Sequence, residues 1–205
     1  LYDVDVTLRR AGAVFDSWRG RIGLRTVRLD LAEEPDGGAR FALVVNGRAV
    51  FCRGANWIPE GLFPSALNAA DYRARVTQAA DANMNVLRVW GGGIYEDEAF
   101  YDACDELGVL VWQDFMFACA TYPEGEAMRH SVEREVRHQV ERLAAHPSIV
   151  LWCGGNENML AWDAWGWKEE YPGLAERGER YWLEWIPAIV REVDLSRPYW
   201  PDSPW

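Results

Sequence analysis

Three short, almost wholly apolar runs constrain this chain more than any other feature: Val86 to Trp90, Val109 to Trp112 and Ile149 to Trp152. Runs of that length suit strands buried on both faces better than helices. The segments between them carry helical spacing. Asp71 to Met84 places Tyr72, Val76, Ala79 and Ala80 along one stripe. Glu96 to Leu107 aligns Phe100, Tyr101, Cys104 and Leu107, with Gly108 as its stop. Ser131 to Ala145 reads as a polar helix ended by His146-Pro147, and Leu174 to Val193 as a long helix interrupted at Pro187. Tyr199-Trp200 begins a further strand. Apolar strands alternating with helices require a parallel sheet covered on both faces, an α/β fold.

Such a sheet either stays open and doubly wound or closes into a (β/α)8 TIM barrel. The chain has neither a GxGxxG fingerprint nor a phosphate loop, which weighs against a nucleotide-binding open sheet. Each strand ends instead in polar or aromatic residues: Arg88 and Trp90, Gln113 and Asp114, Asn156 and Glu157. Barrel active sites are assembled from such strand ends. A complete barrel needs about 250 residues, so this 205-residue chain is expected to hold only the N-terminal half of one. Its start at Leu1 and its stop inside an aromatic stretch fit a piece of a longer protein, and the opening residues do not resemble a signal peptide.

The opening is β-rich. Tyr2, Val4, Val6 and Leu8 alternate with polar residues, Arg10-Ala11-Gly12 makes a turn, and a second extended run reaches Ile22 and Leu24. Asp36-Gly37-Gly38 is a loop, and Asn46-Gly47 joins a hairpin of Phe41 to Val45 with Ala49 to Cys52.

The net charge of −11 argues against nucleic acid and anionic membrane surfaces, both of which need a basic face. No apolar stretch approaches the roughly 20 residues of a membrane helix. Cys52, Cys104, Cys119 and Cys153 form no CxxC pair, so free thiols in a reducing compartment, the cytoplasm, are expected. His130, His138 and His146 recur at even intervals, as if on one helix flank, and offer no zinc cluster. Neither metal nor cofactor is implied. Most of the 12 tryptophans are expected in the core, though flat aromatic faces also hold sugar rings.

Three segments could carry chemistry. Trp90-Gly91-Gly92-Gly93 puts an aromatic ring and closely approachable backbone past a strand end. Asp114 could transfer a proton, bind a sugar hydroxyl or brace its neighbours, and the last two are favoured. Glu157, preceded by Asn156 and two glycines, suits a general acid in a cleft; the plain alternative is a helix-capping carboxylate. A glycosidic oxygen leaves poorly and must receive a proton as its bond breaks, which a partly desolvated Glu can supply.

Taken in order, several stretches resemble glycoside hydrolase family 2, in particular its β-mannosidase branch. They are Val45-Asn46-Gly47-Arg48, Arg53-Gly54-Ala55-Asn56-Trp57-Ile58-Pro59, Arg88-Val89-Trp90-Gly91-Gly92-Gly93-Ile94-Tyr95-Glu96, Trp112-Gln113-Asp114-Phe115 and Asn156-Glu157. The resemblance implies that residues 39–205 form the first half of the catalytic barrel. Residues 1–38 would then be the last strands of a preceding immunoglobulin-like β-sandwich with its linker. It implies Glu157 as acid/base at the end of the fourth barrel strand. Asn156 would bind the sugar 2-hydroxyl, Trp90 and Trp165 would line the pocket, and Asp114 would help hold the substrate. The place of the histidine-containing segment of other branches is taken here by Trp90-Gly91-Gly92-Gly93, which favours mannose. The family's usual Asn-Asn-Glu reads Gly155-Asn156-Glu157, a departure outside the catalytic pair. The expected activity is that of a retaining, exo-acting glycosidase releasing terminal non-reducing β-D-mannose from an oligosaccharide or glycoside. The nucleophile would lie beyond Trp205, Asp202 not being cast in that role. The fragment alone would be inactive and could pair through open sheet edges as a homo-oligomer. The alternatives are another family 2 exo-glycosidase such as a β-glucosaminidase, a non-catalytic sugar-binding module and, more distantly, a metal-dependent barrel hydrolase.

Overall fold

Residues 1–204 are described by a computed structural model. The chain opens with β1 (Tyr2–Arg10) and β2 (Ala13–Ile22), an antiparallel hairpin whose two-residue turn is Ala11-Gly12. Both turn residues sit at positive φ, 51° and 85°, the backbone such a tight hairpin needs. Next, β3 (Val27–Asp30), β4 (Ala42–Val45) and β5 (Arg48–Val50) form a three-stranded antiparallel sheet, its second turn being the expected Asn46-Gly47. The pairing of β3 with β4 runs across the boundary expected at residue 38, and the two strands lie in one sheet.

The second half is α/β around a five-stranded parallel sheet. Its strands are β6 (Gly54–Trp57), β7 (Val86–Val89), β8 (Leu110–Asp114), β9 (Ile149–Cys153) and β10 (Tyr199–Trp200), side by side in chain order. Between them run α1 (Ala69–Asp81), α2 (Glu98–Leu107) and α3 (Glu126–Leu143), followed by the short α4 (Asn158–Ala164), α5 (Trp167–Glu170) and α6 (Ile186–Val193). The strand order never reverses. With right-handed crossovers, that puts the connecting helices on one face, the arrangement expected of a partial (β/α)8 barrel rather than a doubly wound sheet.

Side chains divide between the two faces, by alternation in β7 and β8 and across an irregularity in the pairing of β8 with β9. Leu87 and Val89 of β7, Val111 of β8, and Ile149 and Trp152 of β9 share one core with Val76, Phe100, Val136, Leu143 and Ile186 of the helices. On the other face, Leu151 of β9 meets Leu43 of β4, with Trp112 and Trp200 packed beside them. Phe41 wedges between those two tryptophans, its ring centroid 5.8 Å from Trp112 and 4.9 Å from Trp200. The antiparallel sheet thus covers part of the inner face. Arg25 ties it down further by donating to the carbonyls of Pro147 and Ile149 at 3.1 and 2.9 Å.

Several expectations need correction. β6 is an exposed edge strand with no apolar run to announce it. The third helix begins at Glu126, five residues before the expected Ser131, because Gly125 can serve as its start. Residues 174–177 are not helical; the last helix passes through a π-helical turn at Tyr181–Trp185 directly into α6, and Pro187 follows that turn, where the regular hydrogen-bond ladder is already interrupted. His130 and His138 lie on α3, but His146 falls past its end.

His146 is a structural clamp. Its Nδ1 meets Asp105 at 2.8 Å and its Nε2 meets Glu98 at 2.9 Å, so α2 is pinned to the loop leading into β9. Asp105 also accepts from the Ser148 amide at 2.9 Å, and Glu98 pairs with Arg142. Asp102, Asp105 and His146 come within 4.8 Å of one another, close enough to share a cation. With a carboxylate on each ring nitrogen, however, the imidazole donates from both and keeps no lone pair for a metal. Burial alone would lower its pKa, but Asp105 and Glu98 outweigh burial and raise it. Folding therefore stabilises the charged ring, fully below its ordinary 6.5 and progressively less as pH rises through the elevated value. His146→Gln should accordingly lower Tm clearly at pH 6, with a deficit that shrinks toward pH 9; a deficit independent of pH would show that the ring is not charged.

Candidate functional site

The residues singled out at the strand ends converge through a side chain the sequence reading left in the background, Arg88. Leu87 and Val89 turn toward the helices, which sends Arg88 to the opposite face. In β8, Gln113 turns to the helices and accepts from the Tyr101 hydroxyl at 2.7 Å, which leaves Asp114 facing Arg88. Arg88 Nε and Nη2 donate to the two Asp114 oxygens at 3.1 and 2.8 Å. Trp112 Nε1 and the Gly91 amide, each at 3.0 Å, complete the set around that carboxylate. Asp114 is fully buried. Burial pushes its carboxyl up to about 6, against the opposing pull of Arg88. Four donors fill the roughly four acceptor sites of a carboxylate, an arrangement that suits the bracing alternative for Asp114.

Arg88 Nη2 also donates to Asn156 Oδ1 at 2.9 Å, which fixes the amide's orientation. Asn156 Nδ2 then points at Glu157 Oε2, 3.1 Å away, and at Cys119 Sγ, 3.4 Å away. The backbone here is held from two sides. Asn156 donates its amide to the Phe117 carbonyl at 2.9 Å and accepts from the Cys119 amide at 2.9 Å. On the other side, Glu157 N donates to the Ser203 carbonyl at 3.0 Å and Ser203 N to the Gly155 carbonyl at 3.1 Å.

Glu157 adopts φ 56°, ψ 16°, a left-handed conformation that a non-glycine residue takes only at a cost. It occupies the N-cap position of α4, yet its side chain makes no capping bond. Asp202 does that work, accepting from Met159 N at 2.8 Å and Asn158 Nδ2 at 3.2 Å. The Glu157 carboxylate is therefore left for Asn156 and Cys119, whose thiol lies 3.5 Å from Oε2. Burial is the main cause raising the Asp202 pKa.

Trp90 follows β7, half-buried, and its ring lies directly over Gly92, where a Cβ would come within 2.1 Å of it. Gly91 is equally constrained, since a Cβ there would meet the Phe117 and Phe115 carbonyls at 2.5 and 2.7 Å. Trp165 ends α4 and is 46% exposed, set edge-on to Trp167 at 5.8 Å. Of the expected residues, Asp114, Asn156 and Glu157 are joined by one hydrogen-bonded chain through Arg88. Trp90 is tied to it through the neighbouring Gly91 amide, while Trp165 stands on the surface helix. The sequence reading passed over Cys119 and the capping role of Asp202. Neither lies in a recognisable pattern, since both act through loops brought together only by the fold.

No family model matches the chain. Among curated proteins, it is similar to a β-mannosidase of Capra hircus, 43% identical over 99% of this chain and 24% of that protein. A β-mannosidase B of Thermothelomyces thermophilus is 42% identical over 100% of the chain and 25% of its own length. The crystal structure of a β-D-mannosidase from Dictyoglomus thermophilum superposes with a TM-score of 0.89 at 44% identity, over 97% of this chain and 24% of that one. The chain thus spans about a quarter of the length of the relatives it matches.

The buried Arg88–Asp114 pair can be tested directly. Arg88→Met removes the cation and leaves a buried carboxylate behind, which should cost about 3–5 kcal/mol and appear as a marked loss of Tm. A variant as stable as the parent would mean that Asp114 does not depend on Arg88.

Proposed function

We propose that this chain, which belongs to the β-mannosidase branch of glycoside hydrolase family 2, supplies the acid/base side of a retaining, exo-acting β-mannosidase site. The observation that carries the reading is Glu157. Its backbone is held in a left-handed conformation, its capping duty is taken by Asp202, and its carboxylate is aimed by an amide that Arg88 orients in turn.

In the first step Glu157 gives its proton to the glycosidic oxygen as the C1–O bond breaks and a second carboxylate attacks C1. In the second step Glu157 takes a proton from water, which displaces that carboxylate and releases β-D-mannose with retained configuration. Asn156 binds the sugar 2-hydroxyl, a contact that strengthens as the transition state gains oxocarbenium character. Trp90 and Trp165 present ring faces to the terminal mannose. Asp114 serves this site by anchoring Arg88, and through it Asn156, because its own acceptor sites are occupied within the chain.

Retention needs the second carboxylate about 5–5.5 Å from the first. The family resemblance implies a nucleophile from a later barrel strand of the complete enzyme; Asp114 and Asp202, both committed to internal hydrogen bonds, are not cast in that role. On this reading β6 to β10 are its opening strands, and β1 and β2 close an immunoglobulin-like sandwich ahead of it. The isolated segment would be inactive, with two open sheet edges through which copies could pair. The reaction calls for no metal or organic cofactor.

The test is Glu157→Gln in the complete enzyme, assayed on an aryl β-D-mannoside with a poor leaving group. The rate should fall by about 10²–10⁴-fold, the usual worth of a general acid, with Tm nearly unchanged. A variant as fast as its parent would remove Glu157 from the mechanism and favour a sugar-binding module.

A further inference from the structure

Among the described residues, five non-glycine residues adopt positive φ. Ala11, Asn46 and Asn83 do so in turns; the other two are Cys119, at 48°, and Glu157, at 56°, and these two touch. Strained backbone that survives at two contacting side chains is held there by its surroundings. For Cys119 those surroundings are explicit. Its amide donates to the Asn156 carbonyl at 2.9 Å. On one side, Ala118 N donates to the Tyr122 hydroxyl at 2.9 Å; on the other, Ala120 N donates to Asn158 Oδ1 at 3.3 Å. The loop after β8 is thereby bolted to the loop after β9, with the thiol turned inward.

We propose that Cys119 is a positioning residue for Glu157, its S–H holding the Oε2 end of the carboxylate in the orientation from which the proton is passed. The inference rests on the acid/base reading of Glu157. The three side chains form a closed triangle: Asn156 Nδ2 donates to both Sγ and Oε2, at 3.4 and 3.1 Å, and the thiol donates to Oε2 at 3.5 Å. For the thiol to donate, it must stay protonated. Burial raises its pKa above the ordinary 9.0, and the neighbouring Glu157 raises it further, against the Asn156 amide. A thiol is a weaker donor than a hydroxyl. It can therefore direct the carboxylate while letting it release a proton in the first step and take one up in the second. No covalent or redox step on sulfur is involved.

The leaving group separates this role from a merely structural one. Protonation matters for kcat/KM when the aglycone is phenol, and hardly at all when it is 2,4-dinitrophenol. In the complete enzyme, Cys119→Ala and Cys119→Gly both delete the donor, and glycine also suits the positive φ should alanine disturb folding. Each is expected to lose about tenfold in kcat/KM on phenyl β-D-mannoside, the worth of one hydrogen bond, and less than twofold on the dinitrophenyl substrate. Cys119→Ser, which keeps a donor, should recover most of the loss. Equal losses on both substrates, no loss on either, or failure of serine to rescue would overturn the proposal. Glu157→Gln is run alongside: without the same leaving-group dependence in that control, the acid/base reading itself fails.

Discussion

Arg88 grips Asp114 with two hydrogen bonds on the inner face of the sheet, and the positions of Asn156 and Glu157 follow from that grip. A buried ion pair of this kind is poor evidence of stability, because desolvation offsets much of its attraction. Its use here is directional. A guanidinium fixed by Asp114 has a further N–H to spend, and it spends it on Asn156, which in turn faces Glu157. Removing either charge would leave its partner stranded, so the order of these side chains and the stability of the sheet depend on the same contact.

The second constraint is the segment that follows β10. Ser203 bonds the backbone of Gly155 and Glu157, while Asp202 caps α4. Gly154 allows this closeness, since a Cβ there would lie 2.1 Å from the Pro201 carbonyl. Neighbouring strand ends thus stabilise a conformation that Glu157 would not choose alone. Relieving Glu157 of a cap's work leaves its carboxylate to face Asn156 and Cys119. The Cys119 loop closes the third side, so the aim of the Glu157 carboxylate is set from both flanks.

How much of this was legible beforehand follows from burial. β7, β8 and β9 declared themselves because both their faces are covered, which demands continuous apolar residues. β6 did not, because Gly54-Ala55-Asn56-Trp57 carries no run of large apolar residues. The helix expected from Leu174 was overextended, because Gly173 and Gly178, both at positive φ, frame an irregular stretch that apolar spacing alone does not reveal. Asp114, Asn156 and Glu157 could be picked out because polar residues ending an apolar strand are conspicuous. The bracing by Arg88, the cap from Asp202 and the thiol of Cys119 arise from contacts between distant segments, and no local pattern encodes them.

The proposed mechanism turns on Glu157 being the acid/base, not the nucleophile. Azide tests it most directly, because the anion can attack a glycosyl-enzyme without needing a base. The complete enzyme carrying Glu157→Ala would be incubated with 2,4-dinitrophenyl β-D-mannoside and azide, and the product followed by NMR. Faster turnover with azide and accumulation of β-mannosyl azide, the retained configuration, are expected. Formation of α-mannosyl azide would mark Glu157 as the nucleophile, and no azide product at all would contradict its part in the reaction.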